Sequence, residues 1–141
     1  MLRKSILVIS DQHAPYHHID TLDFLSAIKE KYKPDCVVNI GDEMDWHSIS
    51  FHDSHPGLYS PSHELVVAKK FFTNLEKLFP KQYIMDSNHG SLVFRKATKH
   101  GLPHEIFKSY NHMLGVGKGW SWHEDLVIKA SNGQKIYFCH G

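Results

Sequence analysis

Four apolar runs in this chain each end in side chains that can bind a metal. SILVIS (5–10) is followed by Asp11-Gln12-His13, and CVVNI (36–40) by Gly41-Asp42 with Asp45 three residues on. QYIM (82–85) is followed by Asp86-Ser87-Asn88-His89, and the last run, ending in Cys139, by His140. Taken singly, each site has an ordinary explanation. An aspartate after a strand caps or turns the chain, Gly-Asp and Asn-His-Gly are common loop sequences, and a histidine at a strand end is most often a structural donor. The set carries the argument. Ligands in open α/β sheets bind at the carboxyl ends of the strands, so four strand ends would deliver Asp11, His13, Asp42, Asn88 and His140 to one edge. Mixed carboxylate, amide and imidazole donors favour Mn, Fe, Zn, Ni or Co over calcium. The 13 histidines among 141 residues raise the prior for such a site, but only their positions decide it.

The elements that must position these residues are short. The runs at 5–10, 36–40 and 82–85 are continuous, partly β-branched and apolar, which predicts buried strands of a parallel sheet. Between the first two, Leu22, Leu25, Ile28 and Tyr32 recur at helical spacing, with Asp20 as the expected N-cap and Pro34 as the stop. A short helix is expected within 45–52 and a loop over 53–61. Ser60-Pro61 then opens a helix with the stripe Leu65, Ala68, Phe72, Leu75 and Phe79, ended by Pro80. Residues 92–114 read as helical in pieces and 115–119 as a glycine-rich loop. Residues 120–130 and 134–139 read as two strands joined by Ser131-Asn132-Gly133, a strong hairpin signal. Strand–helix alternation followed by a hairpin predicts an α/β fold with a sheet of mixed character at one side. There is no internal repeat and no low-complexity segment.

Length and composition fit a single soluble domain over residues 1–141, able to bury roughly two-thirds of its unfolded surface. Apolar content is 41%, charged content 22%, and net charge +1 with histidine neutral, so there is no overall electrostatic footprint for nucleic acid or membrane. Arg3 and Lys4 look like the start of a signal peptide, but Ser10 and Asp11 end the apolar stretch too soon. No run approaches the ~18 apolar residues of a membrane span. A cytoplasmic protein without a membrane partner is expected. Cys36 and Cys139, both in strand-like runs, are expected to be buried thiols.

In this order and spacing the motifs resemble those of the calcineurin-like metallophosphoesterases: D-x-H, G-D-x-x-D, G-N-H-D/E, a lone His, then G-H-x-H. The chain has DQH at 11–13, GDEMD at 41–45, SNHG at 87–90 and HG at 140–141, and DQHAPYHH is similar to phage and bacterial members. The resemblance implies a mixed sheet flanked by helices, within the family's four-layer β-sandwich. It implies two divalent transition-metal ions, with Asp11 and His13 on the first, Asp42 bridging both, and Asn88 and His140 on the second. Hydroxide held between the metals would attack a phosphomonoester or phosphodiester. His89 would be the general acid, oriented by a hydrogen bond with Asp45.

Three departures from the family pattern matter. Gly90 replaces the acid that usually follows Asn-His, Trp46 stands where many members carry an arginine, and the final G-H-x-H is missing where the sequence stops at Gly141. The domain is therefore expected to be incomplete at its C-terminal end. The competing expectations are a non-catalytic phosphoesterase-like scaffold, or a half-protein whose site a separate C-terminal chain completes. A nuclease-like diesterase is a sub-case that no basic or aromatic run supports. Among the lesser features, His47, His52, His55 and His63 read better as solvated loop histidines than as cleft residues. Arg95 and Lys96 read as well as an exposed helix face as a phosphate contact, and Trp120 and Trp122 as core.

Overall fold

Three of the four apolar runs, those at 5–10, 36–40 and 82–85, assemble with residues 120–123 into one parallel sheet, whereas the run ending in Cys139 does not join it. The computed structural model describes residues 4–53 and 55–141, so Arg3 of the proposed leader-like start and Ser54 of the 53–61 loop lie outside the described residues. Strands β1 (Ile6–Ile9), β2 (Cys36–Asn39), β3 (Gln82–Met85) and β4 (Trp120–His123) lie in the order β1-β2-β3-β4, with every neighbouring pair parallel. Strands β5 (Asp125–Lys129) and β6 (Lys135–Cys139) form a separate antiparallel pair, turned by the loop containing Asn132-Gly133. The helices are α1 (Thr21–Tyr32), α2 (Pro61–Leu78), α3 (Leu92–Lys99) and α4 (Tyr110–Leu114). The chain is thus an α/β fold with parallel and antiparallel sheets flanked by helices. Among the described residues no helix is long and apolar enough to cross a membrane.

Side-chain alternation along the strands divides the core in two. Val37 and Ile84 pack with Ala68, Phe71, Phe72 and Leu75 of α2 and with Trp120. Cys36, Val38 and Met85 point the other way, onto Ile128 and Phe138 of the β5–β6 hairpin. Helix α2 starts as its sequence dictates: the Ser60 hydroxyl accepts a hydrogen bond from the His63 amide, and Pro61 occupies the first turn. Asp20 does sit at the α1 N-cap, but without a cap hydrogen bond, because its backbone is not in the extended cap conformation.

Three expectations change. The run 120–130 is not one strand, since it breaks at Glu124 between β4 and β5. Period-two alternation explains the break. An unbroken strand would place Leu126 and Ile128 on the face of Trp120 and Trp122, whereas they pack on the opposite face of the sheet. The hairpin therefore forms its own sheet instead of a mixed edge. Cys36 is buried, but Cys139 is exposed, because Phe138 takes the inward position beside it. The helix expected within 45–52 is a single 3-10 turn at His47–Ile49.

Candidate metal centre

The loops after β1 and β2 run on in register beyond the strands. The Asp11 amide donates to the Gly41 carbonyl (3.1 Å), His13 to Asp42 (2.9 Å), Ala14 to Glu43 (2.9 Å), and Asp45 back to Ala14 (3.0 Å). Within this ribbon the backbone is bent at Asp11 (φ 51°), His13 (φ 45°), Asp42 (φ 54°) and Trp46 (φ 53°). These are left-handed conformations that cost a non-glycine residue about 1 kcal/mol each. The bends accompany the convergence of Asp11, His13 and Asp42 at one point. Gly41 (φ 103°) has no alternative, because a Cβ there would lie 2.5 Å from Ser87 Cβ and 2.9 Å from His140 Nδ1.

Ser87 joins this ribbon to the loop after β3. Its buried hydroxyl accepts from the Asp42 amide (2.8 Å) and from the Gly90 amide (3.0 Å). Asn39 Nδ2 donates to Gln12 (2.7 Å), which braces the first loop from beneath. Glu64 of α2, fully buried, accepts from the His47 amide (3.1 Å) and the Ser48 hydroxyl (2.6 Å), fixing the turn that leaves Asp45 and Trp46. The sequence offered no signal for Ser87, which looks like any loop serine, or for Glu64, which looks like a charge on an exposed helix face.

All five proposed ligands come together. His13 Nε2 stands 3.8 Å from Asp11 Oδ1 and 3.8 Å from Asp42 Oδ2. His140 Nε2 stands 3.6 Å from the other oxygen, Asp42 Oδ1, and 2.7 Å from Asn88 Oδ1. Two groups have donor atoms within 4.8 Å of one another: Asp11, His13 and Asp42, and His13, Asp45 and His89. His140 Nδ1 donates to the Ile40 carbonyl (2.8 Å) and His89 Nδ1 to the Asp45 carbonyl (2.6 Å). A carbonyl only accepts, so both rings carry their hydrogen on Nδ1, and in a neutral ring Nε2 keeps its lone pair. His140 Nε2 faces the side-chain oxygen of Asn88 at 2.7 Å, and with the ring neutral the two would be acceptors for a shared cation. The donor chemistry suits divalent transition metals.

Asp45 makes a contact other than the expected one. Its carboxylate bonds His13 Nδ1 at 2.7 Å and lies 3.8 Å from His89 Nδ1, while its backbone carbonyl holds His89. The two imidazoles stand edge to face with centroids 4.7 Å apart, so Asp45 orients both through different atoms.

Two of the departures have structural counterparts. A Cβ at position 90 would lie 3.0 Å from both Glu43 carboxylate oxygens and 2.8 Å from Ser87 Oγ, so Glu43 fills the space beside Gly90. Glu43 is buried, accepts from Trp122 Nε1 (3.0 Å), and has its carboxyl pushed up to about 7 by loss of water. Trp46 turns inward and packs in the helix-side core.

Among the described residues three cavities border the centre, one of them, of about 260 Å³, lined by Asp86, Ser87, Asn88, Ser91, Arg95 and His140; the other two are larger. One, of about 500 Å³, runs along β1 and α1 past Leu7, Phe24 and Leu25 to Asp11 and His13. The other, of about 330 Å³, is lined by Ser50, Phe51, His52, Asn88, His89, Leu92 and Arg95. His52 is thus a cleft residue. His63 instead stacks on Tyr59, His47 accepts from the His55 amide, and Trp120 is core.

The fold and site define an α/β protein with two His/Asp clusters capable of chelating metal ions, consistent with a metallophosphoesterase-like site. A comparison of the chain with known protein families and with curated proteins finds no match.

Proposed function

We propose that this chain carries a metal-dependent phosphoesterase site that hydrolyses a phosphomonoester or phosphodiester. The observation that carries the reading is the division of Asp42: Oδ2 faces His13 and Oδ1 faces His140, as a carboxylate does when it bridges two cations. Asp11 and His13 would complete one position, and Asn88 and His140 the other. Two divalent ions among Mn, Fe, Zn, Ni and Co would supply Lewis-acid stabilisation and an activated water. Asp45 holds the His13 ring so that Nε2 faces the centre, and the Ile40 carbonyl does the same for His140. His89 keeps Nδ1 on the Asp45 carbonyl and lines the cavity of about 330 Å³. Its protonated ring would donate the Nε2 proton to the departing oxygen as the P–O bond breaks.

The test is hydrolysis of bis-p-nitrophenyl phosphate and p-nitrophenyl phosphate by the purified chain with Mn, beside metal content by mass spectrometry. Turnover with bound metal is expected, and His89→Ala should lower it by about 10²–10⁴ while metal content holds. Neither turnover nor metal in the wild type would leave the scaffold reading in its place.

A further inference from the structure

Three cations crowd Phe51, an exposed ring that lines the cavity of about 330 Å³; Arg95 lines the cavity too, while Lys96 and Lys99 stand on α3 against the ring. The Lys96 ammonium lies 4.2 Å from the Phe51 centroid, the Lys99 ammonium 4.9 Å, and the Arg95 guanidinium carbon 5.5 Å. Among the described residues none of the three forms an ion pair with a carboxylate, and no carboxylate lines the cavity. Lys99 alone would be explained by the helix dipole, since it ends α3. That does not account for Arg95, which reaches back so that Nη1 donates to the Asn88 carbonyl at 3.0 Å. It also does not account for three like charges gathered on one ring without a counter-charge. His52 adds a further imidazole to the same wall, and Ser50 a hydroxyl.

The cavity is continuous with the candidate centre, because Asn88 and His89 line it. A group leaving toward His89 would therefore enter a pocket lined by Arg95 and by Phe51, the ring that carries Lys96 and Lys99. The opposite cavity has an apolar wall and the Asp11 carboxylate, which suits a neutral or apolar group. We propose that the Phe51–Arg95–Lys96–Lys99 rim is an anionic subsite that takes a second phosphate on the leaving-group side of the substrate. The substrate class is then an ester bearing two phosphates, of which the metal centre takes one and this rim the other. Cationic side chains gathered within reach of one group attract phosphate together, and because Arg95 and Lys99 are exposed, added salt weakens the attraction. This inference rests on the phosphoesterase reading for the placement of the first phosphate.

Calorimetric binding to the full chain in the presence of Mn tests it. The probes are thymidine 3′,5′-bisphosphate, the two thymidine monophosphates and glucose 1,6-bisphosphate. The bisphosphates should bind at least tenfold tighter than the monophosphates, with the advantage shrinking as salt rises. A preference shared by both bisphosphates assigns the rim to phosphate alone, and one confined to the thymidine compound adds recognition of the nucleoside. Lys96→Glu/Lys99→Glu should reduce the ratio toward one. Lys99→Gln, at a fully solvated position, should lower it partway and gives a second reading should the double variant not fold. Equal affinity for one and two phosphates, or a ratio untouched by these substitutions, would overturn the subsite. Failure of the phosphoesterase reading looks different: no hydrolysis of either bis-p-nitrophenyl phosphate or p-nitrophenyl phosphate and no bound metal, whatever the binding ratio.

Discussion

The two imidazoles that face Asp42 are anchored in different ways. His13 is held by a side chain, the Asp45 carboxylate, and has two further carboxylates before its Nε2. His140 is held by the backbone, through the Ile40 carbonyl, and shares its side of Asp42 with the neutral Asn88 amide. One half of the centre is therefore rich in negative charge and adjustable by substitution. The other is poorer in charge and fixed by the path of the main chain, including the close approach at Gly41. A carboxylate behind an imidazole also makes it the more basic ligand. On the two-metal reading proposed above, the two cation positions would be unequal, the His13 side being the tighter.

The largest test removes what the halves share. Asp42→Asn should empty both positions and lower turnover on the order of 10³, read by metal analysis and by phosphate-ester hydrolysis. Loss of one equivalent only would break the bridging assignment. Next, Asp45→Asn should weaken the tighter site about 10- to 100-fold and leave the other nearly unchanged, bringing the two affinities in a calorimetric titration together. A uniform loss would mean that the halves are not separable.

The smallest effect concerns Glu43, packed beside Gly90 under the loop that presents Asn88. Burial raises this carboxyl from 4.5 to about 7, so the folded state holds its proton more tightly than the unfolded chain does. The stability that goes with the protonated form is complete below about 4.5 and is lost as pH rises through about 7. In EDTA-treated protein Glu43→Gln should melt close to the wild type in acid. It should gain a growing advantage toward alkaline pH, limited to about 3 kcal/mol. A melting difference that does not vary with pH would show that Glu43 does not titrate there.

Much of this was legible before the structure. Strands β2 and β3 announce themselves because a buried parallel strand needs an unbroken apolar run. The run at 5–10 also forms a strand, but β1 stands at the edge of the sheet with Val8 exposed, so its expected burial does not hold. The terminal residues of all three stand where ligands bind in such sheets. Helix α2 was readable from Ser60-Pro61 and its stripe. The break at Glu124 was not, because the run 120–130 has no glycine or proline and only the packing of Leu126 and Ile128 requires a change of face. Ser87 and Glu64 were invisible for a related reason: a hydroxyl or carboxylate declares a structural role only through the amides it meets, and those lie elsewhere in the chain. The Phe51 rim was hidden in the same way. Its cations lie more than 40 residues from the ring they surround, and the near-neutral total gives no hint of them.

The bond from His140 to Ile40 spans 100 residues of chain, the widest separation among the described side-chain hydrogen bonds. Contacts of such long range wait for chain-closure entropy to be met by the rest of the fold. The carboxylate-rich half, drawn from residues 11–45, closes shorter loops when β1 and β2 pair, although Ser87 must still arrive to hold the Asp42 amide. The other half waits for the hairpin to dock on the sheet. On the two-metal reading, assembly of the centre would have a direction in time, a cation captured early being held by Asp11, His13 and Asp42 before His140 arrives.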